Sequence, residues 1–563
     1  MKVGLLFGML FVTLQAFAQQ KMNQGDKLKD FFQKLDQFYT DSISQDKQEK
    51  MADLAIVKML EELDPHSSYE PQRDVKKADE PMVGNFEGIG VTFQLWKDTI
   101  LISEVISGGP SQKIGLQEGD RIVKINDTIV AGIKISQNDV VKKLRGKKGT
   151  QVNISVARRS SKELLEFTIT RDKIPVYSVE TSYMATPTTG YIRIIRFSAT
   201  TMEEFKKAVG KLKAEGMQNL IMDMQGNSGG YLATAISLCN EFLSQSGELI
   251  VYTEGLHSKK ADYFSDGKGT LATGKLIVLV DEYSASASEI FAGCMQDLDR
   301  ALIVGRRSFG KGLVQFPYYF TDGSRVKLTV AHYYTPSGRC IQRPYSEGNK
   351  KDYLDEISNR FKAGEVYGAD TFHFPDSLLF YTKNKRKVYG GGGVFPDVYV
   401  PLDTSLNSEY YQQIRRKGLL NNFCTEYVDV NRDSLKKRFP TADDFIQHFD
   451  SRKEVVDSLF AKADLDSIKR DSAQIARSMP LFVNQTKSLI ARNLFDNTAF
   501  WRINNEQNNS YQKALAVMES DKFAILTPDK KTLKKAEKEL EKKAKVQTNK
   551  SKEKVGGKNE EKK

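Results

Sequence analysis

Histidine is scarce in this chain: five among 563 residues, at His66, His257, His332, His373 and His448. A hydrolase built on a serine–histidine pair therefore has little to draw on. The cysteines Cys239, Cys294, Cys340 and Cys424 lack the close spacing of a metal site, and two of them fall on apolar faces of helical pattern, so buried free thiols are expected. Neither a metal nor a nucleotide cofactor is expected. After the first eighteen residues no apolar run is long enough to cross a bilayer, and 28% of residues are charged. The net charge of +12 is not a nucleic-acid footprint. Fourteen lysines against seven acidic residues between Pro528 and Lys563 supply +7 of it.

The chain opens with Lys2, an apolar run from Val3 to Leu14, and Ala16-Phe17-Ala18 before Gln19. This pattern reads as a secretory signal peptide cut after Ala18, placing the mature chain outside the cytoplasm, most simply in a periplasm. No cysteine follows the cut to carry a lipid anchor.

The chemistry is concentrated between Tyr283 and Gln315. Leu276–Val280 reads as a buried strand, and Ala287, Ile290, Phe291, Cys294 and Leu298 recur at helical spacing. Ser286 thus sits at a strand-to-helix junction, where free N–H groups favour developing negative charge. The better candidate for a base is a lysine. Lys311, between Gly310 and Gly312 and beside Phe309 and Leu313, can serve if burial lowers its pKa, and Gln315 can hold the amine without adding charge.

Two rival readings use the same region. Gly305 to Lys311 matches GxxxxGK, but Gly312 stands where a P-loop needs Ser or Thr, and a strand-like LVQFPYYF follows instead of a helix. Gly226-Asn227-Ser228-Gly229-Gly230 matches G-x-S-x-G, which would make Ser228 the nucleophile of an esterase-type hydrolase, although no HGGG-type segment lies upstream.

SASASE followed by GKGxxQ resembles the C-terminal processing peptidases, also called tail-specific proteases. The resemblance implies Ser286 as nucleophile, Lys311 as general base and Gln315 as its orienting partner, with Asp297 structural. It also implies a crotonase-like α/β core. Asp223, Asn227, Gly229 and Gly230 match the family's DxxxNxGG segment, with Ser228 where proline or glycine is more usual. The oxyanion hole would then combine the Ala287 N–H with one from Gly229 or Gly230. Leu63-Asp64-Pro65-His66-Ser67-Ser68-Tyr69 resembles a structural family element, so His66 is read as packed or capping. Thr335–Arg339 is read as a wall or turn.

Gly88-Ile89-Gly90-Val91 and GLQEGDRIVKIND resemble the carboxylate-binding loop and the following turn and strand of PDZ domains, with Val140, Val141 and Leu144 on the groove helix. Such a module captures a free, apolar C-terminal tail as an added strand.

The expected architecture is multidomain α+β: signal peptide 1–18, N-terminal helical region 19–80, PDZ domain 84–171, peptidase core 172–402, helical accessory domain 403–527 and Lys-rich tail 528–563. The first helices, marked by Leu28, Phe31, Phe32, Leu35, Phe38 and Tyr39 and by Met51, Leu54, Ala55 and Leu63, are expected to pack on the core or on another subunit. The helical regions are where a second copy or an adaptor would dock, and Gly390–Gly393 reads as a flexible turn. The expected function is exported serine endopeptidase acting on proteins or peptides near their C termini. An inactive PDZ scaffold of the same fold is the other class.

Overall fold

The computed structural model describes residues 23–527 except 107, 160 and 369–374, together with 531, 533 and 534. The expected signal segment, His373 and all but three residues of the Lys-rich tail lie outside the described residues.

Strand and helix alternate from residue 179 onward, and their apolar runs form a six-stranded sheet. Val179–Met184 pairs antiparallel with Thr189–Ile194, after which Asn219–Asp223, Leu276–Val280, Leu302–Gly305 and Val398–Tyr399 follow in parallel. Parallel strands buried on both faces read as continuous apolar runs, as LIVLV at 276–280 does. One face carries the helices Thr201–Ala214, Leu232–Asn240 and Ala287–Asp297, joined in a single apolar cluster. The opposite face is covered from far along the chain: Tyr191, Ile221, Ile277, Leu279, Leu302 and Val304 pack against Tyr511, Ala514, Val517 and Met518 of the helix Asn509–Met518. A second sheet is built on the long strand Arg325–Tyr334, which pairs with Leu313–Tyr319, Ser68–Glu70 and Ser246–Glu254.

The PDZ domain is an antiparallel sheet with its own core of Ile100, Ile102, Ile122, Ile154 and their neighbours. Val91–Trp96 is its edge strand, and Gln137–Leu144 is its longer helix. Its entry strand Asn85–Gly88 and exit strand Asp172–Pro175 pair antiparallel as a neck.

The helix Gln24–Phe38 buries no residue and Phe38 is 76% exposed, whereas Gln45–Glu61 buries Leu60 and meets the strand Ser68–Glu70 through Asp53, which accepts from the Tyr69 hydroxyl at 2.6 Å, so the core receives little of these helices. Phe31, Leu54 and Leu63 stay exposed. Gly390–Gly393 is no flexible turn. Gly390, Gly392 and Gly393 are buried, Gly393 N–H donates to Ile341 O, and a Cβ at Gly393 would stand 2.7 Å from Ser308 O. The glycines are there for close approach to the loop 308–310. The region after residue 403 reads as polar, yet it has a core of its own, with Phe445, Leu459, Phe482 and Ile490 fully buried.

Candidate active site

The segment Ser284–Ser288 leaves Leu276–Val280 and is pinned before it turns. Ser284 Oγ donates to Met224 O at 2.8 Å and accepts the Asp281 N–H at 2.9 Å, and Ser288 Oγ donates to Asn227 O at 2.9 Å. Two of the three serines in SASAS therefore tie this turn to the loop after the neighbouring strand Asn219–Asp223. Ser286, between them, lines an open cleft of about 460 Å³. It precedes the helix Ala287–Asp297 with φ 55° and ψ −113°, a conformation that non-glycine residues adopt at a cost.

The same cleft is lined by Ser228, Gly229, Gly230, Lys311, Gln315 and Lys327, with Ile290, Leu313 and Tyr333 as apolar walls. Gly229 is pressed against the turn, since a Cβ there would lie 2.7 Å from Ser286 Cβ. Its N–H is already given to Asn227 Oδ1 at 2.9 Å. Among the described residues the N–H groups of Gly230 and Ala287 make no such bond.

Lys311 Nζ has neither an ion pair nor a hydrogen bond among the described residues. Burial lowers its pKa below the ordinary 10.5. Lys327, itself paired with Glu70 at 2.6 Å, pushes the same way, against Glu289 and Asp64. Gln315 is in the cleft, but its amide donates to Thr329 Oγ1 at 3.2 Å, and no bond joins it to Lys311. Thr329 Oγ1 passes its own hydrogen to Asp64 Oδ1. His66 pairs with the Tyr353 hydroxyl at 2.8 Å, and burial followed by the nearby Lys311 pushes it down to about 3, so it is a neutral, packed ring. Asp297 is buried in an ion pair with Arg339 at 2.8 Å and accepts from Thr335 and Ser337, the position of a structural group.

Neither rival gains support. Among the described residues no histidine lines the cleft to serve Ser228. The Gly310 and Lys311 N–H groups point at a carboxylate, and the strand Leu313–Tyr319 follows, so the GxxxxGK segment makes no phosphate cradle. The four cysteines are free, three of them buried.

Against known families, a model of peptidase family S41 matches residues 188–353, a PDZ-domain model matches 88–170, and a family of unknown function (DUF8443) matches 410–496. Carboxy-terminal processing protease CtpA of Bacillus subtilis (strain 168) is 35% identical over 369 residues, 63% of this chain and 78% of that protein. The chain belongs to the C-terminal processing proteases of peptidase family S41. A probable CtpA-like serine protease of Staphylococcus aureus (strain bovine RF122 / ET3-1) is 32% identical over 380 residues, 66% of this chain and 74% of that protein. Among solved structures, the photosystem II D1 C-terminal processing protease is similar at 25% identity, over 67% of this chain and 86% of that one, with a TM-score of 0.34.

For a serine protease of this family, the sequence reading missed one side chain, Glu289. It is completely buried. Its carboxylate accepts the N–H of Ser286 (2.9 Å), Gly310 (2.7 Å) and Lys311 (2.9 Å) and the Ser308 hydroxyl (2.5 Å). Burial pushes its pKa up, against those four bonds. One carboxylate thus fixes the backbones of both Ser286 and Lys311. The signal was present as Ser286-x-x-Glu289, the spacing of a capping box.

Proposed function

We propose that this C-terminal processing protease is an exported serine endopeptidase that captures free C-terminal tails on its PDZ domain and cleaves through a Ser286/Lys311 dyad. The observation that carries the reading is the partnerless, desolvated Lys311 amine in the same cleft as Ser286. Neutral Lys311 takes the proton from Ser286 Oγ as the oxygen attacks the scissile carbonyl. The oxyanion is held by Ala287 and Gly230 N–H, each donor typically worth roughly 3–4 kcal/mol. Lys311 then protonates the leaving amine and later deprotonates the water that opens the acyl-enzyme. Gln315, held by Thr329, lines the same cleft as the amine.

Tail capture rests on the loop Gly88–Val91. Gly90 has φ +78°, and the Ile89 and Gly90 N–H groups have no protein acceptor among the described residues, while the carbonyls of both are bonded. A tail added to the free edge of Val91–Trp96 would bring its carboxylate to those N–H groups. The proposed division of labour is 84–171 for capture, 172–402 for cleavage and 403–527 for support. Among the described residues no helix is long and apolar enough to cross a membrane.

The test is a serine-reactive phosphonate probe with mapping of its adduct, beside degradation of an unfolded reporter ending in an apolar tail. The adduct is expected on Ser286, with Ser228→Ala degrading the reporter within about threefold of wild type. An adduct on Ser228 hands the chemistry to the esterase reading, and an inert wild type hands the chain to the scaffold reading.

A pH profile reads the base. Because burial lowers the Lys311 pKa, the neutral, competent form grows as pH rises towards and past that lowered value. The kcat/KM of wild type should therefore climb along a one-proton limb with its midpoint below 10.5. A limb centred at or above 10.5 contradicts lysine desolvation.

A further inference from the structure

The PDZ domain and the helical region 403–527 meet through charge. On the helix Leu419–Arg438, residues Glu426, Asp429 and Arg432 recur every third position and so share one face. Each meets an opposite charge on the PDZ domain. Glu426 pairs with Lys97 at 2.6 Å, and Arg432 with Glu118 at 2.8 Å. Asp429 takes two guanidinium groups on one oxygen, Arg121 at 2.7 Å and Arg159 at 2.8 Å, and its side chain is only 5% exposed. The PDZ backbone comes close enough there that a Cβ on Gly119 would stand 3.5 Å from Asp429 Oδ1.

No apolar cluster joins these two bodies, since the PDZ core and the helical core are each closed upon themselves. The helical region is fastened quite differently to the catalytic sheet, by the buried aromatic and aliphatic contact of Asn509–Met518. It is thus packed onto the sheet that carries the cleft, while the contacts it makes with the PDZ domain described above are charged. The remaining tether of the PDZ domain is its neck, helped by the Arg145–Glu80 ion pair. A two-stranded neck fixes position but leaves orientation to a second contact. No described residue between 84 and 171 lines the catalytic cleft, so the seated position leaves the cleft open.

We propose that the region matching the family of unknown function is the seat of the PDZ domain, and that Asp429 is a positioning residue that holds the domain in register with the cleft. This rests on the tail-capture reading above. A seated domain presents a captured tail at a fixed distance and angle from Ser286, converting capture into a high local concentration of one segment of substrate. An unseated domain binds the same tail but delivers it at random. Ionic contacts of this kind weaken as salt shortens the screening length, so the seat is sensitive to ionic strength.

The experiment uses the full chain and two peptides with the same scissile segment, one ending in a free apolar residue and the other amidated. Wild type is expected to favour the free carboxylate by about tenfold or more. Asp429→Arg should bring that preference to within about twofold while leaving turnover of the amidated peptide and tail affinity, measured by anisotropy in a Ser286→Ala background, unchanged. Arg121→Glu and Arg159→Glu added to Asp429→Arg should restore the preference. Spin labels at Lys162→Cys and Lys453→Cys report the seat directly, with one narrow distance in wild type, a broad distribution in Asp429→Arg and narrowing again in the triple variant. A distribution that stays narrow in Asp429→Arg overturns the proposal, as does a lost preference that charge reversal fails to restore. A wild type without preference for the free carboxylate removes tail capture instead, and the label distances alone then decide the seat.

Discussion

Lys311→Met is expected to lose on the order of 10⁴-fold in kcat/KM, the upper range for a positioned general base, and at the same time to make the folded chain more stable by about 1 kcal/mol. Methionine keeps the length and the apolar stem but not the amine. The gain follows from the unpaired state of Nζ, which gives up water on folding and receives no ion pair or hydrogen bond in exchange. The sign can be checked against pH. A lysine whose folded pKa lies below 10.5 binds its proton more weakly in the folded than in the unfolded chain, so wild-type stability rises with pH between the lowered value and 10.5. Below that window the variant's advantage is full, and above 10.5 it is gone. Denaturant melts across pH, paired with peptide turnover, read both effects. A destabilised Lys311→Met would mean that the amine is held by contacts that this geometry does not contain.

Glu289→Gln is expected to lose activity with the opposite stability sign. The carboxylate accepts four donors on two oxygens, whereas an amide offers one oxygen and turns an NH₂ towards groups that are themselves donors. Two donors are left unpaired in a fully buried site at about 1–3 kcal/mol each, so the variant should be less stable by roughly 2–4 kcal/mol. Because the lost bonds hold the backbones of Ser286 and Lys311, kcat should fall by about 10²-fold, with KM much less affected. A further signature separates this role from general destabilisation. The Glu289 charge raises the Lys311 pKa, so its removal should move the rising limb of the pH profile to lower pH. Unchanged kcat in folded Glu289→Gln would reduce the residue to a helix cap.

Much of the site could be read from the chain because its parts are local. The helical spacing of Ala287, Ile290, Phe291 and Cys294 after an all-apolar strand places Ser286 at a junction, and that placement needs no tertiary knowledge. The strand after Gly312 was equally legible, and it disposed of the phosphate-loop alternative. Glu289 was not legible as a partner. Its four donors come from its own cap and from residues 308–311, which reach it only when the loop folds back over the helix. Gln315 is a related case: the strand Arg325–Tyr334 brings Thr329, fourteen residues further along the chain, to its amide, and sequence spacing from Lys311 says nothing about that neighbour. The helices before residue 62 show the limit of periodicity, which reports an apolar face without reporting what meets it.

The cover on the outer face of the catalytic sheet has a consequence for how the enzyme comes into being. Tyr191, Ile221, Ile277 and Leu279 are in place once the first three hundred residues have been made, but Tyr511, Ala514, Val517 and Met518 that shield them come some two hundred residues later. A chain emerging from its N terminus therefore passes through a long interval with an open, sticky sheet and with Ser286 and Lys311 already synthesised. That face of the sheet is closed only when Asn509–Met518 arrives, so a nascent or prematurely terminated chain holds Ser286 and Lys311 without its cover.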